Sequence, residues 1–161
     1  MSVIAYIGLG SNLGDSVQTL RSALQRLAQH PSISVSKTSS FYRSKPVGPQ
    51  DQPDYVNAVA ELETDLTALK LLHVLLSIET AHGRVRDAAL RWGARTLDLD
   101  LLLYDKVQLD VPNLRVPHPF LTEREFVVIP LLEIAPQLRL PSGEYLRDVN
   151  VAKAPNTLEK L

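Results

Sequence analysis

Apolar residues along this chain recur with two periods, two and about 3.6, and the switches between them mark out the elements. Residues 3–9 are β-rich and run into Gly8-Leu-Gly10-Ser11-Asn12-Leu-Gly14, whose glycines predict a turn. Asp15 and Gln18 form a capping pair, and Val17, Leu20, Leu24 and Leu27 then follow at helical spacing, so a helix is expected over 15–29, ending near His30-Pro31. Residues 33–43 read as one strand. From Tyr55 the alternation is strict: Val56, Ala58, Ala60 and Leu62 make an apolar face, and Tyr55, Asn57, Val59 and Glu61 the other. Thr67 caps a second helix over 67–82, with Leu71, Leu72, Leu75 and Ile78 as its buried stripe and Gly83 as its stop. Thr96–Tyr104 alternates again, with Leu97, Leu99, Leu101 and Leu103 inward.

Strand, helix, strand, strand, helix, strand is the order of a ferredoxin-like βαββαβ core: an α+β fold whose mostly antiparallel sheet is covered on one face by helices. The last third is less regular and adds a helical or hairpin extension. There Val116-Pro-His-Pro119 is a stiff loop, Thr122 and Glu125 are expected to cap a helix that Pro130 kinks or interrupts, and Pro141-Ser142-Gly143 is a turn. No repeat or linker marks a boundary, so residues 1–161 are expected to form a single domain.

Composition narrows the chemistry. A hydrophobic fraction of 45% and a charged fraction of 22% are those of an ordinary globular protein. A net charge of -1 argues against a dedicated nucleic-acid binder. The absence of cysteine excludes thiolate metal sites and thiol nucleophiles. With no signal peptide and no apolar run of membrane-spanning length, a cytoplasmic location is expected.

Two features concentrate the chemistry. Asp98 and Asp100 share one face of the last strand, about 7 Å apart along it, and would repel each other without a cation between them. Just upstream, Arg84, Arg86, Arg91 and Arg95 gather in a loop that also holds Gly83 and Gly93. Guanidinium forks suit phosphate oxygens, and magnesium takes few carboxylates and completes its shell with water and phosphate. A nucleoside triphosphate with magnesium satisfies both. Trp92, in a polar loop, is placed to stack on a ring, and His118, fenced by prolines, to donate to a phosphate. The glycines at 8, 10 and 14 do not match the dinucleotide fingerprint, because position 13 is leucine, and no Walker A ending occurs.

Taken together, these residues resemble the 6-hydroxymethyl-7,8-dihydropterin pyrophosphokinase family of folate biosynthesis. The resemblance runs through Tyr6-Ile-Gly-Leu-Gly10-Ser-Asn12, Ser40-Phe-Tyr-Arg-Ser44 and Pro46 to Asn57, then Gly83 to Arg86 and Arg91 to Leu102. It continues in Val116-Pro-His-Pro119 and Pro130-Leu-Leu-Glu-Ile-Ala-Pro136. It implies transfer of the β,γ-diphosphate of ATP, the co-substrate, to the dihydropterin hydroxymethyl group, with two Mg2+ ions held by Asp98 and Asp100. Arg84 and Arg95 would act with that pair in catalysis. ATP contacts would come from Arg84, Arg86, Trp92, Arg95, His118 and Arg124. The pterin pocket would be built from Tyr55, Asn57 and Phe126, with Gly10, Ser44, Pro46, Val47 and Trp92 around them. The implied partners are these two small molecules, with no nucleic acid or membrane, and the chain is expected to be a monomer. Ser44, Lys45 and Asp87 depart from the commonest family pattern. The alternative, a ferredoxin-like module for single-stranded RNA, meets the opposition of Asp98 and Asp100 on the face that would bind a polyanion.

Overall fold

The computed structural model describes residues 2–45, 53–83 and 97–161. In chain order, β1 (Val3–Ser11) is followed by α1 (Ser16–Gln29), β2 (Ile33–Thr38), β3 (Tyr42–Ser44), β4 (Tyr55–Thr64), α2 (Ala68–Ala81) and β5 (Asp98–Tyr104). A small hairpin, β6 (Leu109–Val111) with β7 (Leu114–Val116), precedes α3 (Glu125–Ile134). A 3-10 turn (Leu146–Asp148), α4 (Asn150–Lys153) and β8 (Glu159–Lys160) complete the chain. The main sheet runs β5-β1-β4-β3-β8, with β2 also on β4, and the pairings in it are antiparallel. This is the expected ferredoxin-like α+β core with its C-terminal extension.

The caps read from the sequence form. Asp15 accepts from the Gln18 N–H at 3.2 Å and Thr67 from the Lys70 N–H at 3.2 Å, each meeting a donor that the first helical turn leaves unpaired. Gly83 closes α2 at φ +81°, where a Cβ would be strained. On one face of the sheet, Leu20, Ala23 and Leu27 of α1 and Leu71, Leu75 and Ile78 of α2 pack on Ile7, Leu9, Ala58, Ala60 and Leu62. The other face is covered too: Val127, Val128, Leu131 and Ile134 of α3, with Leu146 and Val149, pack on Tyr6, Val59, Leu102 and Leu103. The C-terminal third therefore turns a two-layer core into three layers.

Four expectations are corrected. β1 runs past the expected residue 9 to Ser11, so Gly10 and Ser11 are strand rather than turn, and the glycines at 8 and 10 leave room on one face for Leu102 and Asn57. Residues 33–43 form two strands, both paired with β4 and interrupted where Ser39 exchanges bonds of 2.9 Å with Val59 through its N–H and its hydroxyl. The β1–β5 register shifts between Tyr6 and Ile7, and this bulge turns Leu103 into the second core, away from Leu97, Leu99 and Leu101. The Thr122 cap does not form: Arg124 occupies the N-cap position of α3 with no side-chain cap hydrogen bond, while Pro130 is accommodated inside the helix. Burial of the α3 stripe on the sheet outweighs the hydrogen bond that proline cannot make.

Candidate active site

The C-terminal end of β1 and its two neighbours build the floor of the site. Gly10 lies opposite Asp98 of β5 on one side and Asn57 of β4 on the other, and Gly8 lies opposite Asp100. Strand alternation then puts Asp98, Asp100, Asn57 and Tyr55 on the α3 face, while Leu97, Leu99 and Leu101 go to the opposite core. A cavity of about 820 Å³ opens over this floor and continues round the β5 edge to Leu72, Leu76 and Glu79 of α2. Its lining includes Gly8, Gly10, Ser44, Tyr55, Asn57, Asp98 and Asp100 from the sheet, and His118, Phe120, Arg124 and Phe126 from the segment leading into α3. Residues from Gly8 to Phe126, near opposite ends of the sequence, thus face one space.

One wall is built around Asn57, which is 4% exposed. Its Nδ2 donates to Ser44 Oγ at 2.6 Å, and its Oδ1 stands 3.0 Å from where a Cβ on Gly10 would lie. The amide is therefore anchored by Ser44 beside Tyr55 and leaves no room for a side chain at Gly10. Asn12, 1% exposed, donates to the Pro53 carbonyl at 3.0 Å and ties the end of β1 to the start of the Tyr55 strand.

The opposite wall is cationic and aromatic. The Arg124 guanidinium lies 4.9 Å from the Phe120 ring centre and 5.7 Å from that of Phe126. His118 Nδ1 accepts from the Phe120 N–H at 3.2 Å. Burial holds the His118 imidazole below its ordinary value, the Arg124 charge adds to this, and Asp98 opposes it. A neutral ring accepting at Nδ1 carries its proton on Nε2, where it can donate. Asp98 and Asp100 are half-buried. Two carboxylates on one strand face suit Mg2+, which needs few protein oxygens when phosphate supplies the rest. Among the described residues no group of three or more His, Cys, Asp and Glu gathers as a complete metal site.

Of the residues expected at the site, Gly10, Ser44, Tyr55, Asn57, Asp98, Asp100, His118, Arg124 and Phe126 all line the cavity. Pro46, Val47, Arg84, Arg86, Arg91, Trp92 and Arg95 lie outside the described residues. Sequence reasoning missed Glu79, 2% exposed on α2, which lines the same cavity and accepts from the Leu99 N–H at 2.7 Å. Its signal was its spacing: it continues the i, i+4 row of Leu71 and Leu75. His73 of α2 is exposed and lines the same cavity.

A family model described as 7,8-dihydro-6-hydroxymethylpterin-pyrophosphokinase matches residues 6–136. The chain belongs to this family. As a pterin pyrophosphokinase it is an enzyme, and two curated relatives match nearly its whole length. It is 49% identical over 159 residues to the 2-amino-4-hydroxy-6-hydroxymethyldihydropteridine pyrophosphokinase of Haemophilus influenzae, covering 99% of this chain and 98% of that one. The protein of the same name from Pseudomonas aeruginosa is 46% identical, over 97% and 95% of the two chains. Among solved structures, an HPPK-DHPS in complex with substrates superposes with a TM-score of 0.72 at 11% identity, over 94% of this chain and 43% of that one. The Plasmodium falciparum HPPK-DHPS with pteroate gives 0.74 at 13%, over 95% and 42%. At such identities these structures speak for the fold, and this pyrophosphokinase spans less than half of either longer chain. Among its described residues no helix is long and apolar enough to cross a membrane.

Proposed function

We propose that this pyrophosphokinase transfers the β,γ-diphosphate of ATP to the hydroxymethyl group of 6-hydroxymethyl-7,8-dihydropterin, giving the pterin diphosphate and AMP in folate biosynthesis. The observation that carries the reading is that Asp98 and Asp100 share one cavity with Tyr55, Asn57 and Phe126. A carboxylate pair for metal and phosphate thus adjoins an aromatic and amide wall for a flat heterocycle.

Tyr55 and Phe126 offer ring faces to the bicycle, and the Asn57 amide pairs with its donor and acceptor edge. Gly10 and Ser44, with Pro46 and Val47, shape the same pocket. The pterin hydroxyl attacks the β-phosphorus in line, and AMP leaves from the far side. Asp98 and Asp100 would hold two Mg2+ ions, which when bound neutralise charge on the triphosphate. Arg84, Arg86 and Arg95 clamp phosphate oxygens, and Trp92 closes over the ligands. His118 donates through Nε2 and Arg124 adds positive charge on the phosphate side. Most of the catalysis in this reading is positioning and charge neutralisation, carried out by a monomer of one catalytic domain in the cytoplasm.

The direct test is to mix the protein with ATP, Mg2+ and 6-hydroxymethyl-7,8-dihydropterin and to measure AMP. AMP formation that depends on the pterin is expected. Folded protein that makes none above background would refute the reading.

A further inference from the structure

Helix α3 is tied at both ends to the same edge of the sheet. Near its C-terminus, Glu133 accepts from the Tyr42 hydroxyl at 2.7 Å, the Ser40 hydroxyl at 2.8 Å and the Ser40 N–H at 3.0 and 3.1 Å. At its N-terminus, Glu125 accepts from the Thr157 N–H at 3.2 and 3.3 Å and from the Thr157 hydroxyl. Thr157 leads directly into β8, which pairs with β3 through Tyr42–Lys160 and Arg43–Glu159. Arg43 and Glu159 also form an ion pair at 3.3 Å, and the Leu161 N–H donates to Phe41 at 2.9 Å. Both glutamates therefore reach β3, one directly and one through the C-terminal segment.

The two things joined are the two walls of the cavity. β3 carries Ser44, which accepts from Asn57, and Tyr42, which lies opposite Asn57 in the register. The other wall, Phe126 with Arg124 before it, stands at the start of α3. Apolar packing holds α3 on the sheet without prescribing where along it the helix sits, whereas directional hydrogen bonds do prescribe it. We propose that Glu133 and Glu125 are positioning residues that set the spacing between Phe126 and the Tyr55–Asn57 wall, and so the affinity for the pterin. Neither lines the cavity. The role explains why two segments singled out in the sequence, Ser40 to Ser44 and Pro130 to Pro136, lie largely off the site yet bind each other.

The inference rests on the proposed pterin pocket, and the test separates the two. Glu133→Ala, Tyr42→Phe and Thr157→Val are compared with the conservative Thr157→Ser by steady-state kinetics and by fluorescence titration with 6-hydroxymethylpterin. Loss of these bonds is expected to raise the pterin KM and Kd by about five- to tenfold, with ATP KM and kcat within about twofold and Thr157→Ser restored to wild type. Unchanged pterin KM and Kd in active variants would overturn the positioning role while leaving the proposed reaction standing. Parallel rises in both KM values, or a kcat that merely tracks the folded fraction, would show plain destabilisation and also overturn it. If the wild type makes no AMP, the reaction fails first, and the titration still judges the positioning role. A wild type that neither turns over nor binds pterin would refute both.

Discussion

Two glycines two residues apart on β1 should respond oppositely to the same added methyl group. At Gly8 a Cβ would meet Leu102 at 3.6 Å, an ordinary van der Waals distance. Gly8→Ala also restricts the unfolded chain, so it is expected to be neutral or to stabilise by about 0.4–1 kcal/mol. At Gly10 the same atom would stand 3.0 Å from Asn57 Oδ1, several tenths of an ångström too close. Asn57 cannot yield without cost, because it is buried and its Nδ2 is held by Ser44 at 2.6 Å. Moving the amide strains or breaks that bond, a loss of about 1–3 kcal/mol for a buried group. If the shift appears in the bound state as well, Gly10→Ala should weaken pterin binding by about tenfold, the equivalent of about 1.4 kcal/mol. It should also lower the Tm by roughly 2–12 °C for a chain of this size. Fluorescence titration with 6-hydroxymethylpterin and thermal melts of both variants check this. A Gly10→Ala variant that binds like the wild type, or a Gly8→Ala variant equally damaged, would refute the account of the Gly10–Asn57 contact.

Further outcomes follow from the same geometry. Asp98→Asn and Asp100→Asn should each reduce AMP formation by roughly 10²-fold or more with little change in melting temperature, since each removes a charge facing the cavity; strong unfolding would mean the pair is structural. Glu79→Leu removes the acceptor of the Leu99 N–H and should cost about 1–3 kcal/mol in denaturant melts, with Glu79→Gln retaining part of it. Burial alone would raise the Glu133 carboxyl, but the bonds from Tyr42 and Ser40, aided by Lys160, hold it below its ordinary value. Its contribution to stability is therefore complete above the unfolded value of 4.5 and is lost as pH falls through the lower folded value. The melting temperatures of wild type and Glu133→Gln should converge in acid, and a gap that widens there would contradict the assignment.

Local rules reached far into this chain. Period-two alternation placed Tyr55 and Asn57 on one face of β4 and the two aspartates on one face of β5, because strand geometry alone decides which side chains share a face. The caps at Asp15 and Thr67 were equally legible, each needing only a side-chain oxygen three residues ahead of an unpaired N–H. The motif resemblance added the family and its chemistry. The loop arginines and Trp92, which carry the phosphate side of the reading, are the part that the described residues do not reach.

What only the tertiary structure decided is everything that depends on pairing between distant segments. Alternation cannot foresee a bulge, so Leu103 changes core where β1 and β5 slip register. Turn propensity could not reveal that β1 continues through Gly10, because the reason lies across the sheet in Asn57. The buried Glu79 and the exposed Glu133 are ordinary helix residues until their partners on β5 and β3 are known. The sequence by itself determined which side chains share a face wherever a strand runs regularly, since that follows from backbone geometry over a few residues. The folded chain decided which faces meet, since that is set by burial and hydrogen bonds between residues tens of positions apart.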